Sequence, residues 1–171
     1  MLRRTQRRAR IGLMAFATLA ASVPAAAQVP PGGAATAVPV AVGSGATPGE
    51  LQAWDARIDG MLRTGELVVA SRTEDPTLPG RTHEYLAQLV GGVPVLGAGL
   101  TRQFDRGATM SAFGTLHENL ALGTVPAITA TESGIRLERQ TGARLGDGQQ
   151  PELMVLPLPT GSYVLAYGAA F

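Results

Sequence analysis

Two His-Glu dipeptides, His83-Glu84 and His117-Glu118, carry the most chemical potential in this sequence. On a helix, a second histidine four positions after the first would set two imidazoles one turn apart to bind zinc, with the glutamate placed to activate water. Those positions hold Ala87 and Ala121, so neither dipeptide completes a zinc-hydrolase motif. His83, inside a strand-like run, reads as a structural residue. Glu74 and Asp75 adjoin Pro76, where acidic side chains serve local turn hydrogen bonding rather than acid–base work. Gly97-Ala98-Gly99 and Gly146-Asp147-Gly148 lack the strand-to-helix setting of a phosphate-binding loop and read as turns or close strand packing. No Gly-x-Ser-x-Gly elbow occurs. Cysteine is absent, which removes disulfides, thiolate metal sites and a thiol nucleophile. The expectation is a protein that is not an enzyme, with no catalytic, cofactor-binding or metal residues and no cofactor.

Whatever the chain does must therefore come from surfaces, and the elements that build them begin after an unusual N-terminus. Arg3, Arg4, Arg7, Arg8 and Arg10 precede an apolar, alanine-rich run over 11–21, which Ser22, Val23 and Pro24 break before Ala25-Ala26-Ala27. A basic segment, a short apolar run and an Ala-x-Ala site make a secretory signal peptide over residues 1–27, with cleavage between Ala27 and Gln28 marked by Ala25 and Ala27. The apolar run is well short of the roughly 20 residues that span a bilayer. The expected location is periplasmic or secreted, with no membrane anchor after cleavage. Removing 1–27 leaves 9 arginines against 13 acidic residues, a net charge of −4. Nothing in the remainder forms the basic cluster that nucleic-acid binding needs.

Residues 28–46 after Gln28 are Pro, Gly, Ala, Ser, Thr and Val, with no charged or aromatic side chain, and read as a flexible linker. Thr47 with Glu50 forms a capping box, Pro48 suits the first turn, and Leu51, Trp54, Ile58, Met61 and Leu62 share one helical face up to Gly65. Strands are predicted over 66–72, 82–90, 93–104 and 108–113. In the second of these, Tyr85, Ala87 and Leu89 share one face while Glu84 and Gln88 take the other, the solvated side. Gly91-Gly92 marks a two-residue primed hairpin turn, and Asp105-Arg106-Gly107 the next turn. A second capping box, Thr129 with Glu132, opens a helix to about residue 143 that Gly134 weakens. A hairpin over 153–158 and 163–169 ends the chain. The fold class is α+β, in two small units that each pack a helix on antiparallel strands: residues 47–118 and 119–171.

The stretch 67–116 resembles the fungalysin/thermolysin propeptide (FTP) motif. Gly92-Val93-Pro94-Val95-Leu96-Gly97 corresponds to its central strand, and Asp105 with Gly107 to the turn that follows, one residue shorter than usual. Thus Gly92, Val93, Pro94, Val95, Gly97, Asp105 and Gly107 are the structural positions that carry the resemblance. Residues 119–171 are similar to the PepSY-type unit that follows FTP in such propeptides, chiefly through Tyr163-Val164-Leu165-Ala166-Tyr167. The resemblance implies a non-catalytic module that inhibits or assists the folding of a thermolysin- or fungalysin-type zinc metalloprotease, or the remnant of such a zymogen, since it stops at Phe171 where the protease domain would begin. The alternative is a stand-alone exported interaction module with no protease partner.

Overall fold

The computed structural model describes residues 36–43 and 45–171. The signal peptide expected over 1–27, with Ala25, Ala27 and Gln28 at its proposed cleavage site, lies outside the described residues. In chain order the elements are β1 (Thr36–Val42), α1 (Pro48–Thr64), β2 (Leu67–Glu74), β3 (Arg81–Val90), β4 (Val93–Asp105), β5 (Ala108–Glu118), α2 (Ala130–Thr141), β6 (Glu152–Pro157) and β7 (Tyr163–Gly168). The architecture is α+β, as expected.

Both helices start where their capping boxes place them. Thr47 Oγ1 accepts from the Glu50 amide at 3.3 Å while a Glu50 carboxylate oxygen accepts from the Thr47 amide at 2.7 Å. Thr129 and Glu132 repeat the exchange at 3.2 and 2.9 Å. Each box satisfies amides that have no partner within the helix. Gly65 and Gly142 end the helices in the left-handed conformation, with φ of 76° and 70°. Gly134 has a packing role beyond its low helix propensity. It is buried, and a Cβ there would lie 3.2 Å from Leu145 Cδ1, so its absence lets the following loop close on α2.

The main sheet runs β1-β5-β4-β3-β2, and every pairing in it is antiparallel. α1 crosses one face. Ile58 is fully buried there, and Trp54, Met61 and Leu62 pack against Val40, Leu67, Leu86, Leu100, Ala112 and Leu116. The Gly91-Gly92 turn has both residues at positive φ, 54° and 83°, as a primed two-residue hairpin requires. The following turn is equally tight: Arg106 and Gly107 alone connect β4 to β5, with φ of 50° and 87°.

Three sequence expectations are corrected. First, the stretch 28–46 is not linker throughout, because Thr36–Val42 forms β1 and pairs with β5 from Thr36↔Glu118 to Val42↔Ala112. Val38, Val40 and Val42 alternate toward the helix, and Val40 is buried. Pro39 is tolerated because β1 is an edge strand. Second, the faces of β3 are inverted. Glu84, Leu86 and Gln88 are buried beneath α1, whereas Tyr85 is exposed. Leu86, on the same face as Glu84 and Gln88, marks the core side, and the two polar residues are buried because each has partners. Third, β5 extends to Glu118, five residues past the expected end at Phe113, because β1 pairs with that extension.

β4 is shared by the two halves of the molecule. From Gly99 to Asp105 it pairs with β5, while Val95 pairs in parallel with Val155 of β6. Val93, Val95, Ala98 and Val155 form a second core with Leu120, Leu122, Leu153, Tyr163 and Leu165 around it. The terminal hairpin β6–β7 is thus built onto a strand of the first unit.

Candidate binding surfaces

The largest cluster of charge sits between α1 and the sheet. Asp55 and Asp59 are one helical turn apart on α1, facing Arg102 on β4 and Glu84 on β3. Arg102 Nε and Nη2 donate to Glu84 Oε2 at 3.1 and 2.8 Å, and its Nη1 donates to Asp59 at 3.0 Å and to Asp55 at 3.4 Å. Arg72 on β2 donates to the other Glu84 oxygen at 2.8 Å, and Thr109 on β5 donates to Asp55 at 2.8 Å. The Arg72 and Arg102 guanidinium groups lie 5.6 and 4.8 Å from the Phe104 ring centroid, within cation–π range. Burial pulls the Arg102 pKa down, but its hydrogen bonds with Glu84 and Asp59 outweigh that and hold it above the ordinary arginine value. Every carboxylate in it accepts a hydrogen bond, three carboxylates sharing two guanidinium groups and the Thr109 hydroxyl, so the cluster is a clasp that fixes α1 on the sheet. Sequence reasoning missed it. The i, i+4 spacing of Asp55 and Asp59 on the helix face beside Ile58 was the signal.

A groove of about 590 Å³ opens between the C-terminal end of α1 and the ends of β3 and β5, beyond Gly99 where β4 ceases to pair with β5. Arg57, Glu66, Gln88, His117, Glu118 and Asn119 line its polar part. Gln88 substitutes for the missing strand: its amide donates to the His117 carbonyl at 2.7 Å and accepts from the His117 amide at 2.8 Å. Arg57 pairs with Glu118 and stands 4.9 Å from the Trp54 ring centroid. The His117 ring meets Tyr163 edge-on, with Nδ1 2.7 Å from the Tyr163 hydroxyl. Burial lowers the His117 pKa and raises that of Tyr163, so the neutral pair is favoured and ties β7 to β5.

The other singled-out residues are dispersed. His83 Nε2 is 3.1 Å from Asp75 Oδ2. Asp75 accepts from the Thr77 hydroxyl, the Thr77 amide and the Leu78 amide; these bonds, led by Thr77 and joined by His83, hold its pKa far below the usual carboxylate range. The acidic turn is therefore a hydrogen-bonded loop, as its residue types predicted. Among the described residues no group of three His, Asp or Glu side chains is placed to hold a metal ion. Of the residues that carry the family resemblance, Gly92 and Gly107 sit in the two hairpin turns and Asp105 ends β4. Val93 and Val95 are buried in the second core, Pro94 is exposed between them, and Gly97 takes φ 74° in β4. They build the hairpin and the departure of β4, and they do not converge on one site.

Among the described residues, two surfaces of the main sheet stand open. β2 is the outer strand of the main sheet, and only Leu67 of its eight residues is buried. The face of the sheet opposite α1 is also uncovered across its middle. There the register sets Ser71, Tyr85, Thr101, Phe113 and Ala41 in one row across five strands. The next row holds Val68, Ala87, Gly99, Thr115 and Pro39. Comparison with known proteins finds no family model and no curated protein that matches this chain.

Proposed function

We propose that this protein is a non-catalytic binding module that receives an extended segment of a partner along the open edge of β2. The observation that carries the reading is the position of β2 itself: no described strand pairs with its outer side, and its side chains from Val68 to Glu74 are exposed. Such an edge offers unpaired backbone donors and acceptors to a further strand. The resemblance of residues 67–116 to FTP propeptides supplies the partner class, a thermolysin- or fungalysin-type zinc metalloprotease whose cleft the edge would enter. The signal-peptide pattern over 1–27 supports an encounter in the periplasm or outside the cell.

The test is inhibition of a thermolysin-like protease, and its refolding yield, over a range of concentrations of this chain. Slowed proteolysis that weakens in Val69→Lys is expected, since a charge on an exposed edge position opposes strand addition. Neither inhibition nor improved refolding at high micromolar concentration would retire the protease partner. The second reading, a stand-alone exported interaction module, is favoured by the exposed Tyr85 and Phe113 on the open face of the main sheet, a surface that strand addition at the edge leaves free.

A further inference from the structure

We propose that β2 also pairs with itself: two copies of this chain join antiparallel about a two-fold axis at Thr73, continuing their main sheets into one. The pairing uses the edge assigned above to a partner segment. It rests on that edge alone and needs no protease.

The Asp75 amide donates to the Arg81 carbonyl at 2.9 Å, so the backbone groups of Asp75 point toward β3. Alternation along an antiparallel strand turns those of Thr73 and Ser71 the same way and leaves the N–H and C=O of Arg72 and Glu74 pointing outward. An axis at Thr73 sets Arg72 of one copy opposite Glu74 of the other, and Glu74 opposite Arg72. Both members of each pair are outward-pointing residues, so each pair can exchange N–H and C=O in both directions. α1 leaves this end of the edge clear, since Arg72, Thr73 and Glu74 are all exposed.

Charge selects the same axis. Arg72 donates to Glu84 beneath α1 and Glu74 lies two positions on, so both side chains stand on the helix side of the sheet. Arg72 spends Nη2 on Glu84 and has further guanidinium donors to offer. Among the described residues Glu74 has no ion-pair partner. An axis at Arg72 or at Glu74 would set like charges face to face across the seam, which opposes pairing. An axis at Ser71 would carry the seam over Ala70, where β2 slips against β3 in a bulge. The axis at Thr73 avoids both and joins opposite charges twice, once on each side of the symmetry axis.

Beyond the paired stretch, the register carries Val68 and Val69 of each copy toward the β2–β3 loop of the other, where Leu78 stands. These three are 38%, 51% and 46% exposed, and their contact takes apolar surface out of water. The bulge at Ala70 keeps the seam short, so the dimer is weak and reversible. It shields an edge that would otherwise invite indiscriminate strand pairing, and a partner segment must displace one copy to take its place.

The experiment exploits the absence of cysteine. Thr73→Cys and Ser71→Cys each place a single thiol on the open side of β2. At the axis the two Thr73 residues form a non-hydrogen-bonded pair with Cα atoms about 4.5 Å apart, within disulfide reach. The two Ser71 residues are separated by roughly 13 Å along the strands. Each variant is oxidised mildly and run on a non-reducing gel, and sedimentation equilibrium compares the unaltered protein with Glu74→Arg. Thr73→Cys should cross-link at least about 10-fold faster than Ser71→Cys. The unaltered protein should self-associate at high micromolar concentration, and Glu74→Arg, which faces Arg72 with a like charge, should weaken that about 10-fold. Circular dichroism confirms that the variants fold. Equal cross-linking at the two positions, an unaltered protein that stays monomeric, or Glu74→Arg associating as tightly as the unaltered chain would each overturn the proposal. Neither readout involves a protease, so the pairing can stand where the protease partner falls, and the reverse.

Discussion

Glu84 and Arg102 face each other across β3 and β4 beneath α1, and a single Glu84 oxygen accepts from both Nε and Nη2 of Arg102 at 3.1 and 2.8 Å. Both side chains are buried, so removing either leaves the other buried with only its outer partners, Arg72 for Glu84 and Asp55 with Asp59 for Arg102. Glu84→Ala should destabilise the protein by about 3–5 kcal/mol, with Arg102→Ala similar. Pairing Glu84→Leu with Arg102→Met should recover most of the loss, because it removes both charges and keeps the volume. Urea unfolding of the three variants checks this; a double variant as unstable as Glu84→Ala would refute the account.

The two glycines of the β3–β4 turn differ in what surrounds them. Both need positive φ, which costs a residue with a Cβ about 1–2 kcal/mol. At Gly91 an added Cβ would also lie 2.8 Å from Thr124 Oγ1, whereas at Gly92 nothing stands within 4 Å. Gly91→Ala should therefore lower the melting temperature more than Gly92→Ala. Adding Thr124→Ala to Gly91→Ala should bring the two together, which thermal melts will show.

β1 should contribute to stability out of proportion to its composition. Val40 is 3% exposed and belongs to the core cluster with Ile58, Leu100 and Leu116. Val40→Ala should cost about 2 kcal/mol, judged from methyl deletions in packed cores. A chain beginning at Thr47 should be less stable still, since it uncovers the β5 edge and Leu116 together. Equal unfolding midpoints for chains beginning at residue 36 and at residue 47 would show β1 to be dispensable.

Acid should destabilise the fold in separable stages. The folded-state pKa values of His117, Glu50, Glu132 and Asp75 all lie below their ordinary values of 6.5, 4.5, 4.5 and 3.8. For a depressed pKa the unfolded chain binds the proton first, so the contribution is complete above the ordinary value and is lost as pH falls toward the folded one. His117 acts first, below pH 6.5. The capping glutamates, held low mainly by the amides of Thr47 and Thr129, follow below 4.5, and Asp75 acts last. Melting temperature measured against pH should fall through these windows, and His117→Asn should flatten the curve just below 6.5. An unchanged slope in that variant would assign the acid sensitivity elsewhere.

Local signals were legible where one residue type answers one physical need. The capping boxes at Thr47 and Thr129 fixed both helix starts, and Gly91-Gly92 marked its turn because few other pairs hold two positive φ angles. Non-local pairing was not. β1 reads as linker by composition, and only its partner β5, far along the chain, makes a strand of it. The faces of β3 were assigned by polarity, which fails for Glu84 and Gln88: the first is neutralised by Arg72 and Arg102, the second spends its amide on the His117 backbone. Both compensations lie on other elements, so no window around β3 contains them. The open surfaces were equally hidden, since the row Tyr85–Thr101–Phe113 exists only once three strands are in register.

The seam between β1 and β5 also orders events in time. Val40 opposes Gly114, so the first strand made is closed by the last strand of its sheet. A chain that is synthesised or threaded through a pore from its N-terminus must hold β1 unpaired until β5 has emerged. Contacts of such long sequence separation slow folding, and they keep the polypeptide threadable until most of its length has passed. Under the export proposed from the pattern over 1–27, delayed closure would work as a built-in timer that favours folding on the far side of the membrane.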